Sequence, residues 1–175
     1  MVKAWLKSAV RHEPKINDRG DRILFYSPVM LILSLIWFLF CLCFIGWWLI
    51  DPISKAEGNT SIYYFIIFAF MFLYGIYSFL EWKYHNIVLS NEGVINNIKW
   101  AGHSTKIIWG NIAEVTLENT TQAFIIIDNN NNKIRVNTYF YGIKSLADEF
   151  RQRLPSSVYQ KINDRIILFD KLSSK

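Results

Sequence analysis

The sequence predicts an α+β membrane protein, in which a two-helix transmembrane hairpin precedes a small antiparallel β-barrel or sandwich capped by a C-terminal helix. Three observations lead to this fold class. Residues 23–50 and 58–80 contain no charged side chain, whereas short runs of alternating apolar and polar residues follow from Tyr84 onward. A later apolar pattern then repeats at helical spacing.

The two uncharged stretches predict membrane-spanning helices. A hydrocarbon core about 30 Å thick needs roughly 20 apolar residues at about 1.5 Å each, and both stretches are long enough. We place the hairpin at residues 26–82, with helices at about 28–50 and 61–81. Pro28 fits a first helical turn, and Asp51-Pro52 ends the first helix.

The distribution of Lys and Arg predicts the orientation of the hairpin. Residues 1–25 form a basic tail, whereas the loop between the helices holds only Lys55. Because basic segments stay in the cytoplasm, both termini are expected there. The net charge of +5 then reflects topology and attraction to anionic lipid. Nucleic-acid binding is not expected, since no basic stripe is interleaved with aromatic residues.

From residue 84 the chain reads as an antiparallel meander. Asn91-Glu92-Gly93 and the four Asn residues at 129–132 mark turns, which are too short for parallel crossovers. The spacing of apolar residues between Gly142 and Pro155 predicts a closing helix. The predicted strands are residues 84–90, 94–100, 105–109, 113–119, 123–128 and 133–138.

Three segments of this region resemble the bacterial pleckstrin-homology-like (PH-like) domain. They are residues 89–94 (LSNEGV), 107–115 (IIWGNIAEV) and 150–155 (FRQRLP). The resemblance covers about residues 84–155. It implies a small barrel with a closing helix, carried by a multi-pass protein of the bacterial inner membrane.

The chain departs from the family pattern at two places. Ile108 stands where the family often has Pro, and Gly110-Asn111 stands where acidic residues are common. These departures give no reason to expect a polar function at that turn. The first hairpin turn also lacks the Lys and Arg that phosphoinositide binding would need, so that activity of eukaryotic relatives is not carried over.

No residue pattern predicts catalysis, a metal site or a cofactor. His12, His85 and His103 are not spaced with Cys, Asp or Glu as a metal site requires. Cys41 and Cys43 point to different faces of the first helix, where Cys packs as a small apolar residue. We therefore expect the protein not to be an enzyme.

The strand pattern assigns the distinctive side chains to the barrel core. Trp109, Ile112, Val115 and Phe150 are expected there, and Trp100 is expected to pack rather than to bind a partner. Four basic residues are either a weak basic face or ordinary solvated charges. They are Lys99, Lys106, Lys133 and Arg135.

The pentapeptide KINDR occurs twice, at residues 15–19 and 161–165, without any wider duplication. The second copy lies in the C-terminal segment, residues 156–175. Val158, Ile162 and Ile166 lie on one face of that segment, which predicts an amphipathic helix. The helix is expected to lie either on the barrel or on the inner membrane surface.

These observations predict a non-enzymatic, membrane-tethered protein-interaction or scaffolding module. Its partners are the lipid bilayer and an unidentified protein, and the exposed strand edges and the flank of the closing helix are the expected docking surfaces. The alternative is a bacterial immunity protein that binds and neutralises a membrane-targeting or injected toxin. A neighbouring toxin gene would favour the alternative. A channel is disfavoured because the uncharged stretches, residues 23–50 and 58–80, place no charge inside the membrane to handle ions.

Overall fold

The computed structural model describes residues 2–50, 60–118, 120 and 122–174. The chain falls into two compact units, each described here by itself. The sheet unit comprises Met1–Ser27 and Tyr84–Lys175, and the helical unit comprises Pro28–Lys83. The helical unit is therefore inserted into the sequence of the sheet unit.

The N-terminal segment is folded, where the sequence predicts only a basic tail at residues 1–25. It forms a helix and a strand pair, namely α1 (Val2–Arg11), β1 (Lys15–Ile16) and β2 (Arg22–Tyr26). Leu6, Ala9 and Val10 form the buried face of α1. Lys7 lies between Leu6 and Ala9 in the sequence, and Arg11 follows Val10. These charges make the segment look like a basic tail, although its apolar residues lie on one face of a helix.

The helical unit contains two long helices, α2 (Pro28–Ile50) and α3 (Thr60–Tyr84). They meet through aromatic rings: Phe44 stacks on Phe68 at 3.3 Å between centroids, and Phe38 meets Phe72 edge to face at 5.6 Å. Many other large apolar side chains of both helices are exposed. The predicted outer loop at residues 51–59 lies outside the described residues.

Within the described residues, one helical segment is long and apolar enough to cross a membrane. It is Ile66–Tyr84 in α3, whereas Leu31–Gly46 in α2 is a shorter apolar helix. The boundaries of the two helices agree with the predicted ones to within a few residues. The two-span hairpin itself stays a prediction.

Seven further strands follow the helical unit. They are β3 (His85–Leu89), β4 (Gly93–Ile98), β5 (His103–Ile108), β6 (Ile112–Glu118), β7 (Ala123–Asp128), β8 (Lys133–Asn137) and β9 (Phe140–Tyr141). The larger sheet has the order β1-β2-β3-β4-β5, with β9 also paired to β2, and the smaller sheet has the order β6-β7-β8. All pairings are antiparallel. The predicted single meander is therefore two sheets.

The pairing of β2 with β3 joins the two parts of the sheet unit. Leu24 lies opposite Ile87 and Phe25 lies opposite Asn86. Leu24 and Ile87 are both fully buried. A strand that precedes the helical unit thus completes a sheet whose other long strands all follow it.

The β7–β8 turn is organised by one buried carboxylate, Asp128. Its Oδ1 accepts the backbone N–H groups of Asn130 (3.0 Å) and Asn132 (2.7 Å), and its Oδ2 accepts the Asn132 side-chain amide (2.9 Å). The amide of Asn132, above all, lowers the pKa of the Asp128 carboxyl. Asn131 takes a positive φ of 63°, a conformation that Asn tolerates in turns.

Three helices close the sheet unit. They are α4 (Ile143–Arg153), α5 (Ser156–Tyr159) and α6 (Asn163–Ser173). Of the two positions left open for the C-terminal segment, the structure has it on the sheet unit, with Ile162, Ile166 and Phe169 fully buried in the core. The prediction of an α+β chain with antiparallel sheets and a C-terminal helix is confirmed.

The C-terminal helix is expected to be essential for the stability of the sheet unit. The Phe169 ring meets Phe124 at 5.9 Å inside the core, so Phe169→Ala should lower the free energy of unfolding by about 3 to 5 kcal/mol. Urea unfolding of the purified protein in detergent, followed by near-UV circular dichroism, measures the loss. Ile167→Ala, on the exposed face of α6, is the matched control, and equal losses would contradict this packing.

Candidate functional site

The three segments that resemble the PH-like domain meet around Trp109. The β3–β4 turn is closed by the Ser90 N–H, which donates to the Gly93 carbonyl at 3.0 Å. The backbone N–H of Trp109 donates to the Glu92 carbonyl (3.0 Å), and its indole N–H donates to the Ser90 carbonyl (2.9 Å). Trp109 is 6% exposed. Its ring therefore fixes the turn to the end of β5.

Arg153 of α4 completes this cluster. Its guanidinium lies 5.5 Å above the Trp109 ring and donates to the backbone carbonyl of Asn91 (3.0 Å). Arg153 is also paired with Glu149, one turn earlier on α4, and Glu149 meets Arg22 of β2 at 3.2 Å. Glu149 is buried. Glu149 thus joins α4 to β2 in the N-terminal part of the sheet unit, and Arg153 joins α4 to the β3–β4 turn.

The Trp109 cluster is a structural lock, because its polar groups already have partners. In the described part of the chain, no buried side-chain nitrogen or oxygen lacks a hydrogen bond. The four residues expected in the barrel core all belong to the buried cluster. They are Trp109, Ile112, Val115 and Phe150.

The four basic residues of the expected weak face are divided between the two sheets, and only Lys133 and Arg135 share a strand, β8. Lys106 is on β5 in the larger sheet and pairs with Glu92, whereas Arg135 is on β8 in the smaller sheet and pairs with Glu118 at 2.8 Å. The Lys106 ammonium, which donates to Glu92, lowers the pKa of that carboxyl. Lys99 follows β4, and Lys133 begins β8. Two of the four charges are thus neutralised locally.

The histidines and cysteines do not converge on a site. His85 is buried and its Nε2 lies 2.7 Å from Oδ1 of Asn96, whereas His103 is exposed and contacts Thr105. His12 stacks on Tyr141 at 3.9 Å between ring centroids. Among the described residues, no group of three His, Cys, Asp or Glu side chains could hold a metal ion.

A small polar cavity lies where the end of α1 meets α4 and α6. Its volume is about 210 Å³, and its lining includes Arg11, His12, Lys144 and Asp148. Lys144 pairs with Asp148 at 3.0 Å, and Nε of Arg11 donates to the Leu172 carbonyl at 3.3 Å. Because Lys144 and Arg11 already have these partners within the protein, the cavity does not indicate a binding site for an anion.

Strand β5 is the outer strand of the larger sheet, and it is the best candidate for an interaction site. In the described residues its only strand partner is β4. Most of its side chains are exposed, and Ile108 is 49% exposed. An outer strand of this kind offers unpaired backbone groups to an added strand.

The hydrogen-bond alternation identifies the backbone groups of β5 that face outward. Bonded and non-bonded pairs alternate along an antiparallel ladder. The backbone N–H of Trp109 donates to the Glu92 carbonyl, so these two residues form a hydrogen-bonded pair. Alternation along the ladder then makes three further pairs hydrogen-bonded, namely Ile107 with Val94, Thr105 with Asn96 and His103 with Ile98. The residues of β5 whose N–H and C=O groups point away from β4 are therefore Ser104, Lys106 and Ile108.

Trp100 is not packed in the core, where the sequence predicts it. It lies in a 3-10 turn, Lys99–Ala101, between β4 and β5, and it is 40% exposed rather than part of the core. The sequence signal that could have shown this is the Ala101-Gly102 pair, which marks a turn directly after the Trp.

Sequence reasoning missed the contribution of the N-terminal segment to this site. Arg22 contacts Glu149 across a sequence separation that includes the whole helical unit. Nothing in the sequence relates the two residues. A short apolar run in β2, residues 23–25 (ILF), was the available signal, but it merges with the uncharged stretch that follows.

Comparisons of the chain with protein-family models, with curated proteins and with solved structures find no match. The PH-like assignment therefore stays a prediction that rests on the three sequence segments.

The Trp109 cluster should depend strictly on glycine at position 93. A Cβ at Gly93 would overlap the backbone carbonyl of Ile107, whereas a Cβ at Gly110 would meet nothing within 4 Å. Gly93→Ala should therefore lower the free energy of unfolding by about 3 kcal/mol or more, measured by urea unfolding in detergent. Gly110→Ala should change it by less than about 0.5 kcal/mol, and comparable effects of the two would refute the close packing of β4 on β5.

Proposed function

We propose that this protein is a non-enzymatic, membrane-tethered interaction module. The helical unit crosses the bacterial inner membrane as a two-helix hairpin. The sheet unit is a PH-like domain on the cytoplasmic side, and it binds a protein partner along β5. The exposed outer edge of β5 is the observation that carries the docking step.

Topology supports a hairpin with two crossings. Residues on both sides of the helical unit belong to one sheet, through the β2–β3 pairing, so they must lie on the same side of a membrane. The chain between them therefore crosses an even number of times. Ile66–Tyr84 is long enough for one crossing, and we assign the second crossing to α2.

The composition of the helical unit supports its place in lipid. The charge-free stretch of α2 and the apolar stretch of α3 expose large side chains such as Leu39, Phe70 and Leu73. Exposed apolar surface of this extent is costly in water and favourable in a hydrocarbon core.

The distribution of basic residues supports a cytoplasmic sheet unit. Lys3, Lys7 and Arg11 lie on α1, and Lys83 lies at the end of α3. Basic residues near membrane spans stay in the cytoplasm.

The transmembrane proposal predicts a defined accessibility pattern. In a chain with Cys41→Ala and Cys43→Ala, a cysteine introduced as Ser54→Cys should react with an impermeant maleimide in intact spheroplasts. One introduced as Ser174→Cys should react only after the membrane is permeabilised. The protein should also stay in the membrane pellet at alkaline pH. Labelling of both positions only after permeabilisation would contradict the proposal.

The docking proposal predicts that a backbone change in β5 weakens partner binding. Lys106→Pro removes an N–H that faces away from β4, so the β4–β5 pairing should survive. Loss of one intermolecular hydrogen bond, worth about 1.4 kcal/mol, should reduce crosslinked partner in native membranes about tenfold. Circular dichroism checks that the variant is folded.

Lys106→Ala is the matched control for this experiment. It removes the same charge and the same pairing with Glu92 but keeps the backbone N–H, so partner recovery should stay within about twofold. Equal recovery with Lys106→Pro and the wild type would exclude strand addition at β5. A toxin as the captured partner would assign the protein to the immunity class.

A further inference from the structure

The β4–β5 tip, residues 99–103 (KWAGH), lies at a particular end of the larger sheet. His85, the first residue of β3, lies opposite Ile98 of β4, and Ile98 lies opposite His103 of β5. The residue before His85 is the last residue of α3. The tip therefore extends beyond the end of the sheet at which the chain returns from the helical unit.

The N-terminal strand places the outgoing chain at the same end. Phe25 of β2 lies opposite Asn86 of β3, and α2 begins at Pro28. Trp100 is two residues past Ile98, so it lies within roughly 7 Å of the level of His85 along the strand direction. The β3–β4 turn, Ser90–Glu92, lies at the opposite end of the same sheet.

The tip has the chemistry of a membrane-surface contact. Lys99, Trp100, Ala101 and His103 are all exposed, and Gly102 takes a positive φ of 63° that lets the turn reverse. An indole ring is amphipathic and favours the headgroup zone, between the hydrocarbon core and water. A lysine beside it is attracted to anionic lipid, at about 1 kcal/mol per charge.

We propose that residues 99–103 rest on the anionic headgroup layer of the membrane that the helical unit spans, with Trp100 in the interface and Lys99 at lipid phosphates. This inference rests on the proposed membrane tether. A protein partner fits the tip less well, because five residues offer much less than the roughly 800 Å² per partner of a stable interface. A lipid surface needs no such area, since the tether keeps the tip close to it.

The test uses the full chain with Cys41→Ala and Cys43→Ala, reconstituted in vesicles of phosphatidylcholine with or without phosphatidylglycerol. An environment-sensitive NBD fluorophore is attached at Ala101→Cys or, as the matched control at the opposite end of the sheet, at Glu92→Cys. With phosphatidylglycerol present, the fluorophore at 101 should be quenched by lipids spin-labelled near the headgroup and protected from iodide. The fluorophore at 92 should show neither effect.

Two further variants separate the contribution of the Lys99 charge from that of the Trp100 ring. Lys99→Glu should reduce the quenching gained from phosphatidylglycerol about fivefold or more, since it replaces an attraction by a repulsion. Lys133→Glu makes the same charge change on β8 and should leave the quenching unchanged. Trp100→Ala should reduce quenching in both vesicle types.

Each failure has a distinct meaning. If iodide reaches the fluorophore at 101 as readily as the one at 92, the lipid contact is overturned. If the same protein resists alkaline extraction, the membrane tether is left intact. Iodide protection at 101 without lipid quenching, in both vesicle types, would show that protein covers the tip and would also overturn it. Release of the protein by alkaline extraction would overturn the tether, and with it this inference.

Discussion

The pairing of β2 with β3 is the constraint on which the rest of the structure depends. It joins a strand from before the helical unit to one from after it, and it closes a very long loop. Such a closure is entropically costly unless the inserted segment is itself compact. The ring contacts of Phe44 with Phe68 and of Phe38 with Phe72 show that α2 and α3 pack antiparallel, which brings the two ends of that loop close together.

A second long-range connection reinforces the first. Glu149 receives Arg22 from one side of the insertion and Arg153 from the other. Both guanidinium groups stay partly exposed, at 45% for the Arg22 side chain and 34% for that of Arg153, so water screens the pairs and each adds only modest net stability. The Arg22 contact does favour one placement of β2 against α4, since without it Glu149 would keep only the pair with Arg153 of its own helix. From Trp109, edge-to-face ring contacts continue through Phe150 and Phe124 to Phe169, so the same core extends to the C-terminal helix.

The sequence allowed prediction of the features that depend on local periodicity. Charge-free runs predicted α2 and α3, and alternation predicted the strands from β3 to β8, together with the Asn-rich turn that Asp128 organises. Features that depend on distant partners were not predictable. Strands β1 and β9 have two residues each, too few to show any period, and the amphipathic face of α1 is masked by its charges.

The two copies of KINDR show the effect of tertiary context directly: the first begins β1, and the second spans the start of α6. Tertiary context, rather than the pentapeptide, decides between strand and helix. The Trp109 lock was predictable only as three separate segments, because their meeting point requires the register of β4 on β5.

The position of β2 also has a consequence for how the protein is made. One edge of β2 is taken by β3, and the other is shared by β1 and by β9, which is Phe140–Tyr141. During synthesis β2 leaves the ribosome early, but its partners β3 and β9 do not exist until the helical unit and then most of the sheet unit have been translated. For that interval the apolar residues of β2 have no sheet to complete. Until then the only strand described here that β2 can pair with is the two-residue β1, so the larger sheet forms only after the helical unit and most of the sheet unit have been translated.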